Sequence, residues 1–530
     1  MLRATLPLRL AASRAMHAQP MRLAIVGSGP SGFYVANKIL QGFDAQKGTG
    51  DDGVEVHMYE RLPTPYGLVR YGVAPDHPDV KNVEHKFDQV AHDARFRFFG
   101  NVCVSASDAV DTAGSLASFI PLRDLVPYYT QIVFAYGAME SRPLGIPGSR
   151  PKELRNYFCA LDFVEWYNGH PDAHDPAKQD AYSMSSINGE HIRRVAVVGA
   201  GNVALDVARM ILRQCAAAPK DDTMAHTDVP EPVLHKLKSF QVEEVNLYVR
   251  RGAAQLAFTN KELREMLALT HVPFRPLAAG VLDEAFAQTS AVVEMGQRRT
   301  MTRLLKQLQK GSAVPYNESH TPRWGLHLLR SPAAFLGDAS TPPAVHTAEW
   351  HITQLAKGAK AAESGDTVKS REDLIISSVG YRSSALPGAE NGAMQVPFDF
   401  QRFVIPSVRN RVVDMQGEAV PGMYAAGWIT SGPVGVIAST MVDAYSAADE
   451  ILRAWKEAIY TGNTSDTLCA AAGFPEPDRA IPEAVQNASQ PVVSYEGWKK
   501  IDAAEQARGK PLRKLREKFL TVREMLEIVQ

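Results

Sequence analysis

Cysteine is scarce. The 530 residues hold four, Cys103, Cys159, Cys215 and Cys469, and no two stand in a C-x-x-C spacing. A disulfide framework, a zinc ribbon, a cluster held by this chain and a redox-active dithiol all need closer or more numerous thiols. Four reduced thiols suit a reducing compartment. No run of 18 apolar residues occurs, the length at which a helix begins to span a bilayer. An excess of either charge is also missing. With 57 Lys+Arg and 58 Asp+Glu the formal net charge is -1, which argues against bulk binding to nucleic acid and leaves a local basic face open. Hydrophobic residues make up 45% and charged residues 22%, so a large core can be buried and disorder is excluded as the main state. At roughly 150 residues per domain, the length fits two large domains or about three average ones.

Acid is absent from the first part of the chain, where the earliest carboxylate is Asp44. Residues 1–20, MLRATLPLRLAASRAMHAQP, carry Arg3, Arg9 and Arg14 among Ser, Thr and apolar residues. An Arg-rich, acid-free leader reads as a mitochondrial transit peptide, because its arginines interrupt the apolar run that a secretory signal needs. The other reading is an unstructured tail before the first strand.

Beyond the leader the chain is rich in strand–glycine–helix punctuation. Met21–Gly27 is a short apolar run that leads into Gly27-Ser28-Gly29-Pro30-Ser31-Gly32 and an amphipathic stretch, Phe33–Leu40. This is G-x-G-x-x-G between a strand and a helix, the context a dinucleotide fingerprint requires. Gly27 allows the tight turn, Gly29 a close backbone approach to a pyrophosphate, and Gly32 close packing of helix on strand. A second strand, Val54–Tyr59, ends in Glu60, a carboxylate that can accept from ribose hydroxyls. The polar stretch 41–53 reads as an insertion that lengthens the usual gap.

The pattern recurs. Arg194–Val198 leads into Gly199-Ala200-Gly201-Asn202-Val203-Ala204 and a helix over Val203–Arg213. The next strand, Val245–Val249, ends in Arg250-Arg251 instead of an acid. An acid would repel a 2′-phosphate, whereas a guanidinium pair can grip one. The first site therefore suits FAD and the second NADP, with solvated strand-end arginines as the bland alternative. A late small-residue strand, Gly422–Gly427, precedes Trp428 and the Gly432–Ile437 loop, where a helix begins. Such a strand returns to the first domain in two-dinucleotide flavoproteins. The expected fold is α/β: two Rossmann-like three-layer dinucleotide-binding domains, the NADP domain inserted into a discontinuous FAD domain. The expected division is 21–137 (FAD, first part), 138–379 (NADP) and 380–530 (FAD, second part, with a C-terminal extension).

Several motifs in order resemble one family, the mitochondrial NADPH–ferredoxin oxidoreductases of adrenodoxin-reductase type and their bacterial relatives. They are YGLVRYGVAPDHPDVKNV (66–83), WYNG (166–169), GAGNVALDVAR (199–209), RRGAAQLAFTNKELREM (250–266), WGLHLLRSP (324–332), SSVGY (377–381), GWITSGPVGVI (427–437) and PVVSYEGWKKIDAAE (491–505). The resemblance implies FAD contacts at Ser31, Glu60, Leu68, Val104, Trp428, Gly435, Val436 and Ile437. It implies NADP contacts at Ala200, Gly201, Asn202, Val203, Arg250, Arg251, Glu262 and Gly435. His77, Asp206, Glu262 and Trp428 match positions near the nicotinamide–flavin region, where positioning and electrostatics are expected of them and no obligatory acid or base. Read from the residues alone, His77 reads first as an ordinary loop histidine, while Asp206 can be a solvated helix acid and Glu262 a surface salt-bridge partner of Arg251 or Lys261. Thr430-Ser431 departs from the family, whose animal members have a basic pair there. No metal is expected.

Arg298, Arg299, Arg303, Lys306 and Lys310 lie in an acid-free stretch, and positions 299, 303, 306 and 310 share a helical face. The bland reading is a solvated face. The sharper one is a dock for a small acidic ferredoxin, steered by opposite charge. The resemblance adds Arg264 to this surface, with Arg298 and Arg299 as approximate matches. It implies hydride transfer from NADPH to flavin and single-electron release to a [2Fe–2S] ferredoxin in the mitochondrial matrix, with any inner-membrane association peripheral. Two alternatives stand beside it: an NADPH-dependent flavin monooxygenase, and a non-catalytic flavin-bearing scaffold that binds ferredoxin. The polar insertions 173–190 and 216–231 read as surface loops.

Overall fold

The computed structural model describes residues 20–44, 53–108, 110, 112, 114–220, 223–292, 294–355, 361–389, 396–435, 437–468 and 481–530. The leader's Arg3, Arg9 and Arg14, most of the 41–53 stretch, Cys469 and Val436 lie outside them.

The first element among the described residues is β1 (Met21–Val26), all six residues of which are buried, as befits a central parallel strand. Helix α1 (Pro30–Asp44) comes next, then β2 (Val54–Tyr59), β3 (Phe96–Phe99) and β4 (Gln131–Phe134). After β4 the chain leaves through a two-residue strand, β5 (Glu140–Ser141), and enters a second sheet with β6 (Tyr157–Cys159) and β7 (Arg194–Val198). Helix α2 (Asn202–Gln214) leads to β8 (Glu244–Val249). Helices α3 (Asn260–Leu267) and α4 (Met295–Lys310) precede β9 (Arg323–Leu328). Three antiparallel strands come next, β10 (Arg330–Gly337), β11 (Val345–Leu355) and β12 (Ala361–Arg371), before β13 (Leu374–Ser377) rejoins the second sheet. Strand β14 (Tyr381–Arg382) pairs with β5, so exit and return travel side by side. The first sheet is then completed by β15 (Ser407–Val408), β16 (Arg411–Val413) and β17 (Ala419–Ala425); α5 (Ile437–Thr461) and α6 (Tyr495–Gly509) come after it.

The first sheet has the order β15-β16-β17-β4-β1-β2-β3, and the second β9-β8-β7-β13-β6. The second is parallel throughout; the first is parallel except at its β15–β16–β17 edge. These are two Rossmann-like α/β lobes, the second inserted into the first, as expected. The late strand starts three residues earlier than the glycine run suggested, and α1 runs through Gln41 to Asp44, so the 41–53 stretch opens as helix. The sequence pattern missed the β10–β12 sheet. It packs on the second lobe through Trp350, whose ring stacks on Tyr248 at 3.7 Å.

The two polar insertions are not simply surface loops. Met184, Ile187, Met224 and Val229 are buried in the second lobe's core, and Asp228 is buried with them. Asp228 holds Lys81 at 2.7 Å and Lys518 at 2.9 Å, lysines from two other parts of the chain. The segment after α6 continues this role. Lys514 is buried against Glu231 and Glu517, while inside the first lobe Arg70 meets Glu505 through two hydrogen bonds of 2.6 and 2.8 Å. The C-terminal segment is thus a strap that crosses from one lobe to the other.

Candidate active site

The first glycine loop is shaped by close contacts. Gly27 has φ +106°, and a Cβ there would stand 2.6 Å from the Tyr136 backbone, so no other residue makes this turn without displacing β4's continuation. A Cβ on Gly32 would lie 2.2 Å from the Gly27 carbonyl, which is the close helix–strand packing expected of the third glycine. Gly29, by contrast, faces open space. Ser31 Oγ is buried with no hydrogen-bond partner among the described residues. It sits in the first turn of α1 against Gly427, at the end of the late strand, which in turn lies against Thr440 in the first turn of α5. Two long helices therefore point their N-termini at one place, and neither carries an acid in its first turn. Unsatisfied N–H groups and positive dipole ends there favour an anion.

Glu60 stands after β2 as expected. Its carboxylate accepts from Ser28 Oγ at 2.6 Å and from the Leu62 N–H at 3.1 Å, so it is oriented at the rim of the loop. Leu68 opens the short helix Leu68–Tyr71 and is half-buried. Val104 is buried in the neighbouring strand Val102–Ser105. Trp428 is half-buried, its Nε1–H has no partner among the described residues, and its ring lies 6.5 Å from that of Tyr381 on β14. Gly435 is exposed at φ +91°, and Ile437 opens α5. A buried orphan hydroxyl, an orphan indole N–H and an open glycine beside two helix N-termini fit a dinucleotide such as FAD.

The second loop repeats the logic. Gly199 has φ +147°, and a Cβ would lie 2.2 Å from the Ser378 carbonyl, whereas Gly201 faces open space. Ala200, Asn202 and Val203 are half-buried around it. The Asn202 side-chain oxygen is already used: it accepts from the Thr259 N–H at 2.7 Å and so ties the loop to the start of α3. Arg250 is exposed and Arg251 half-exposed at the end of β8; neither guanidinium makes a hydrogen bond or ion pair among the described residues. Two unpaired guanidinium groups beside an open glycine fit a 2′-phosphate-bearing nucleotide.

Between the loops lies a cluster that the sequence named in part. Arg209, on α2, is buried at its centre. It donates to Asp76 at 2.7 and 3.1 Å, to Asp206 at 3.0 Å and to Glu262 at 3.1 Å. His77 Nε2 meets Glu265 at 2.6 Å. Three sequence alternatives fall here. His77 is not an ordinary loop histidine, Asp206 is not a solvated helix acid, and Glu262 pairs with Arg209 and with neither Arg251 nor Lys261. All three are drawn into the seam because α2 and α3 from one lobe meet the 74–81 turn of the other. Four carboxylates (Asp76, Asp206, Glu262, Glu265) face two arginines, Arg209 and Arg213, and one histidine. That excess of negative charge in a buried place favours the neutral form of a carboxyl group. Asp206 is the group whose pKa is driven up, chiefly by burial and also by nearby Glu262 and Asp76, against the pull of Arg209. Ligand atoms of His77, Asp206 and Glu262 lie within 4.8 Å of one another, a spacing open to a metal ion. The Arg209 guanidinium already stands as the cation of this cluster.

Asp76, Arg209, Arg213 and Glu265 were missed as site residues, although all but Arg213 lie inside quoted motifs. The available signal was Arg209 itself, three residues after Asp206 on one helical face and surrounded by Val207, Ala208, Met210 and Ile211. An arginine in such company is buried only with partners.

On α4, Arg299, Arg303, Lys306 and Lys310 are exposed and make no ion pair among the described residues. Arg298 departs from this face: it is half-buried and its guanidinium donates to the Val292 carbonyl at 2.8 Å. Arg264 is exposed on α3. The two helices are joined through Asn260, which donates to the Thr300 carbonyl and accepts from Gln307. Thr430 and Ser431 form a short turn after Trp428, with the Thr430 hydroxyl on the Gly427 carbonyl.

Two glycine-loop sites on facing α/β lobes, one fitting FAD and the other NADP, with a buried polar cluster between them, define a flavin- and nicotinamide-dependent oxidoreductase. The family profile of pyridine nucleotide-disulphide oxidoreductases matches residues 21–268. The mitochondrial NADPH:adrenodoxin oxidoreductase of Drosophila melanogaster is 35% identical over 96% of this chain and 93% of its own. The Homo sapiens protein of the same name is 34% identical over 96% and 92%. Among solved structures, Mycobacterium tuberculosis FprA in complex with NADPH superposes with a TM-score of 0.79 at 32% identity, covering 96% of this chain and 100% of that one. The chain belongs to the NADPH:adrenodoxin oxidoreductase family.

Proposed function

We propose that this protein moves electrons from NADPH through FAD to a small acidic [2Fe–2S] ferredoxin. The observation that carries the reading is the pairing of unlike strand ends: Glu60 at one glycine loop and the unpaired Arg250 and Arg251 at the other. When bound, FAD supplies the two-to-one conversion: NADPH gives up a hydride, and two one-electron acceptors are reduced in turn with release of one proton.

The chain's own part is placement and charge. Ser31, Glu60, Leu68, Val104, Trp428, Gly435, Val436 and Ile437, with Gly27, Gly29 and Gly32, hold the flavin nucleotide. Ala200, Gly201, Asn202 and Val203 carry the NADP diphosphate at the start of α2, and Arg250 and Arg251 take its 2′-phosphate. His77, Asp206 and Glu262 form the polar wall near the nicotinamide, their charges balanced by Arg209. Trp428 closes the flavin side. The division in this reading is 21–137, 138–379 and 380–530, supported by the paired strands β5 and β14 near the two crossings. Arg299, Arg303 and Arg264 present positive charge beside α3, where a ferredoxin is steered in; Arg298 braces the turn at Val292. The leader directs the chain to the mitochondrial matrix, and the acceptor serves iron–sulfur assembly, haem modification or a cytochrome P450. Among the described residues no helix is long and apolar enough to cross a membrane, so inner-membrane association in this reading is peripheral. The monooxygenase and scaffold alternatives are not favoured, since the relatives carry the names of NADPH oxidoreductases.

An anaerobic titration tests the reading. The flavin absorbance of the purified protein is expected to bleach at near-stoichiometric NADPH and only at much higher NADH. A flavin that NADPH leaves unbleached sinks the electron-transfer role, and the absence of flavin sinks the assignment of the first lobe.

A further inference from the structure

One carboxylate joins the two lobes at the reactive seam. Asp76 belongs to the first lobe, in the turn before the short helix Pro78–Lys81. Arg209 and Arg213 belong to α2, the helix that opens at the second glycine loop. The Arg209 fork meets both Asp76 oxygens, at 2.7 and 3.1 Å, and Arg213 adds a third contact at 3.0 Å. The Asp76 side chain is 8% exposed and that of Arg209 2%. A guanidinium fork fixes orientation as well as distance, which a point charge does not. The far end of the same short helix is fastened too, by Lys81 on Asp228. Six residues, Asp76–Lys81, are therefore held at both ends by the second lobe, and His77 stands second among them with its Nε2 on Glu265.

We propose that Asp76 is a positioning residue for hydride transfer: through Arg209 and Arg213 it sets the separation of the lobes and holds His77 in the seam. This rests on the reading that FAD and NADP occupy the two glycine loops. Hydride transfer requires the reacting atoms about 3–3.5 Å apart, and an error of about 1 Å can cost on the order of a hundredfold in rate. Neither Asp76 nor its partners on α2 need touch either cofactor for this. Asp76 acts by where it keeps α2.

The test uses the flavin-loaded full-length protein and its Asp76→Asn and Arg213→Met variants. Asn keeps the shape and one acceptor oxygen but loses the charge and the fork. Three quantities are read: hydrogen exchange of peptides covering 74–83 and 202–214, the NADP+ dissociation constant by calorimetry, and the limiting rate of flavin reduction at saturating NADPH. The rate is repeated with NADPH deuterated at the transferred position. For Asp76→Asn we expect faster exchange in both peptides and an NADP+ dissociation constant changed by less than about threefold. The limiting rate should fall by about tenfold or more, with a larger isotope effect. Arg213→Met should move the same quantities less, and it carries the test if Asp76→Asn does not retain flavin. Unchanged exchange and rate overturn the proposal, as does a loss confined to NADP+ affinity. Wild-type flavin that NADPH cannot reduce overturns the cofactor reading instead, a result separate from any difference between the variants.

Discussion

Glu60 and Arg250 show how far single residues could be read. Each stands immediately after a strand whose apolar run and adjoining turn are local properties, so its place at a lobe's edge is fixed by a few neighbours. The Arg250 guanidinium has no hydrogen bond or ion pair among the described residues, which fits the role proposed for it. A hydrogen bond to a charged group contributes about 1.5–3 kcal/mol, which is a factor of about ten or more in affinity. Arg250→Ala is expected to weaken NADPH by about that factor while leaving NADH nearly unchanged; equal losses for the two nucleotides in a titration would remove the 2′-phosphate assignment. Asp206 and Glu262 show the opposite case. Their positions on helices were legible, but their burial was not, because it depends on Asp76 and His77 arriving from the other lobe across more than 100 residues of chain.

At the scale of elements, the strand–glycine–helix units were legible because their periodicity and punctuation lie within a short window. Strand β7 was read to the residue. The β10–β12 sheet was not, and the reason lies in its surface. Strand β12 is exposed along most of its length, and β10 shows no clean alternation, so neither carries a two-residue apolar rhythm. Helix α4 was legible by its spacing, and the structure refines its basic face by withdrawing Arg298 into the turn at Val292. Four exposed cations without ion pairs among the described residues suit a field that would act before contact. Reversing Arg299 and Arg303 to Glu is expected to slow ferredoxin reduction several-fold at low salt, with the difference shrinking as salt rises. The diaphorase rate with a small neutral acceptor should not change. Ferredoxin rates that do not move at low salt would place the dock elsewhere.

The whole molecule is held by buried ion pairs that tie distant parts of the chain, and none of these ties was visible in the sequence. Asp228 has two lysine partners, and one buried carboxylate cannot balance two ammonium charges. It is held well below the ordinary carboxylate range by them, despite its burial. Lys518, the more deeply placed, has its pKa lowered to about 7, chiefly by burial and against the attraction of Asp228. A lowered folded-state pKa means the unfolded chain binds the extra proton between pH 7 and the ordinary lysine value. Stability from this group is therefore full above the ordinary lysine value and is lost as pH falls from there to about 7, with a slope of up to about 1.4 kcal/mol per pH unit. Calorimetric melts from pH 7 to 10 should show that rise in the wild type and a flatter profile in Lys518→Met; parallel profiles would show that Lys518 does not titrate in this window.

The interruption of the first lobe by the second also sets an order of manufacture. As the chain emerges, the inserted lobe has all five of its strands by Ser377, whereas the lobe that began first still lacks β15, β16 and β17. Domains fold as units once their chain is complete. The nucleotide fold encoded in the middle is thus finished before the one encoded at the start. The place proposed for flavin closes only when Gly427 and the head of α5 come back to Ser31, well after the second sheet is complete, and the strap that fastens the lobes follows later still.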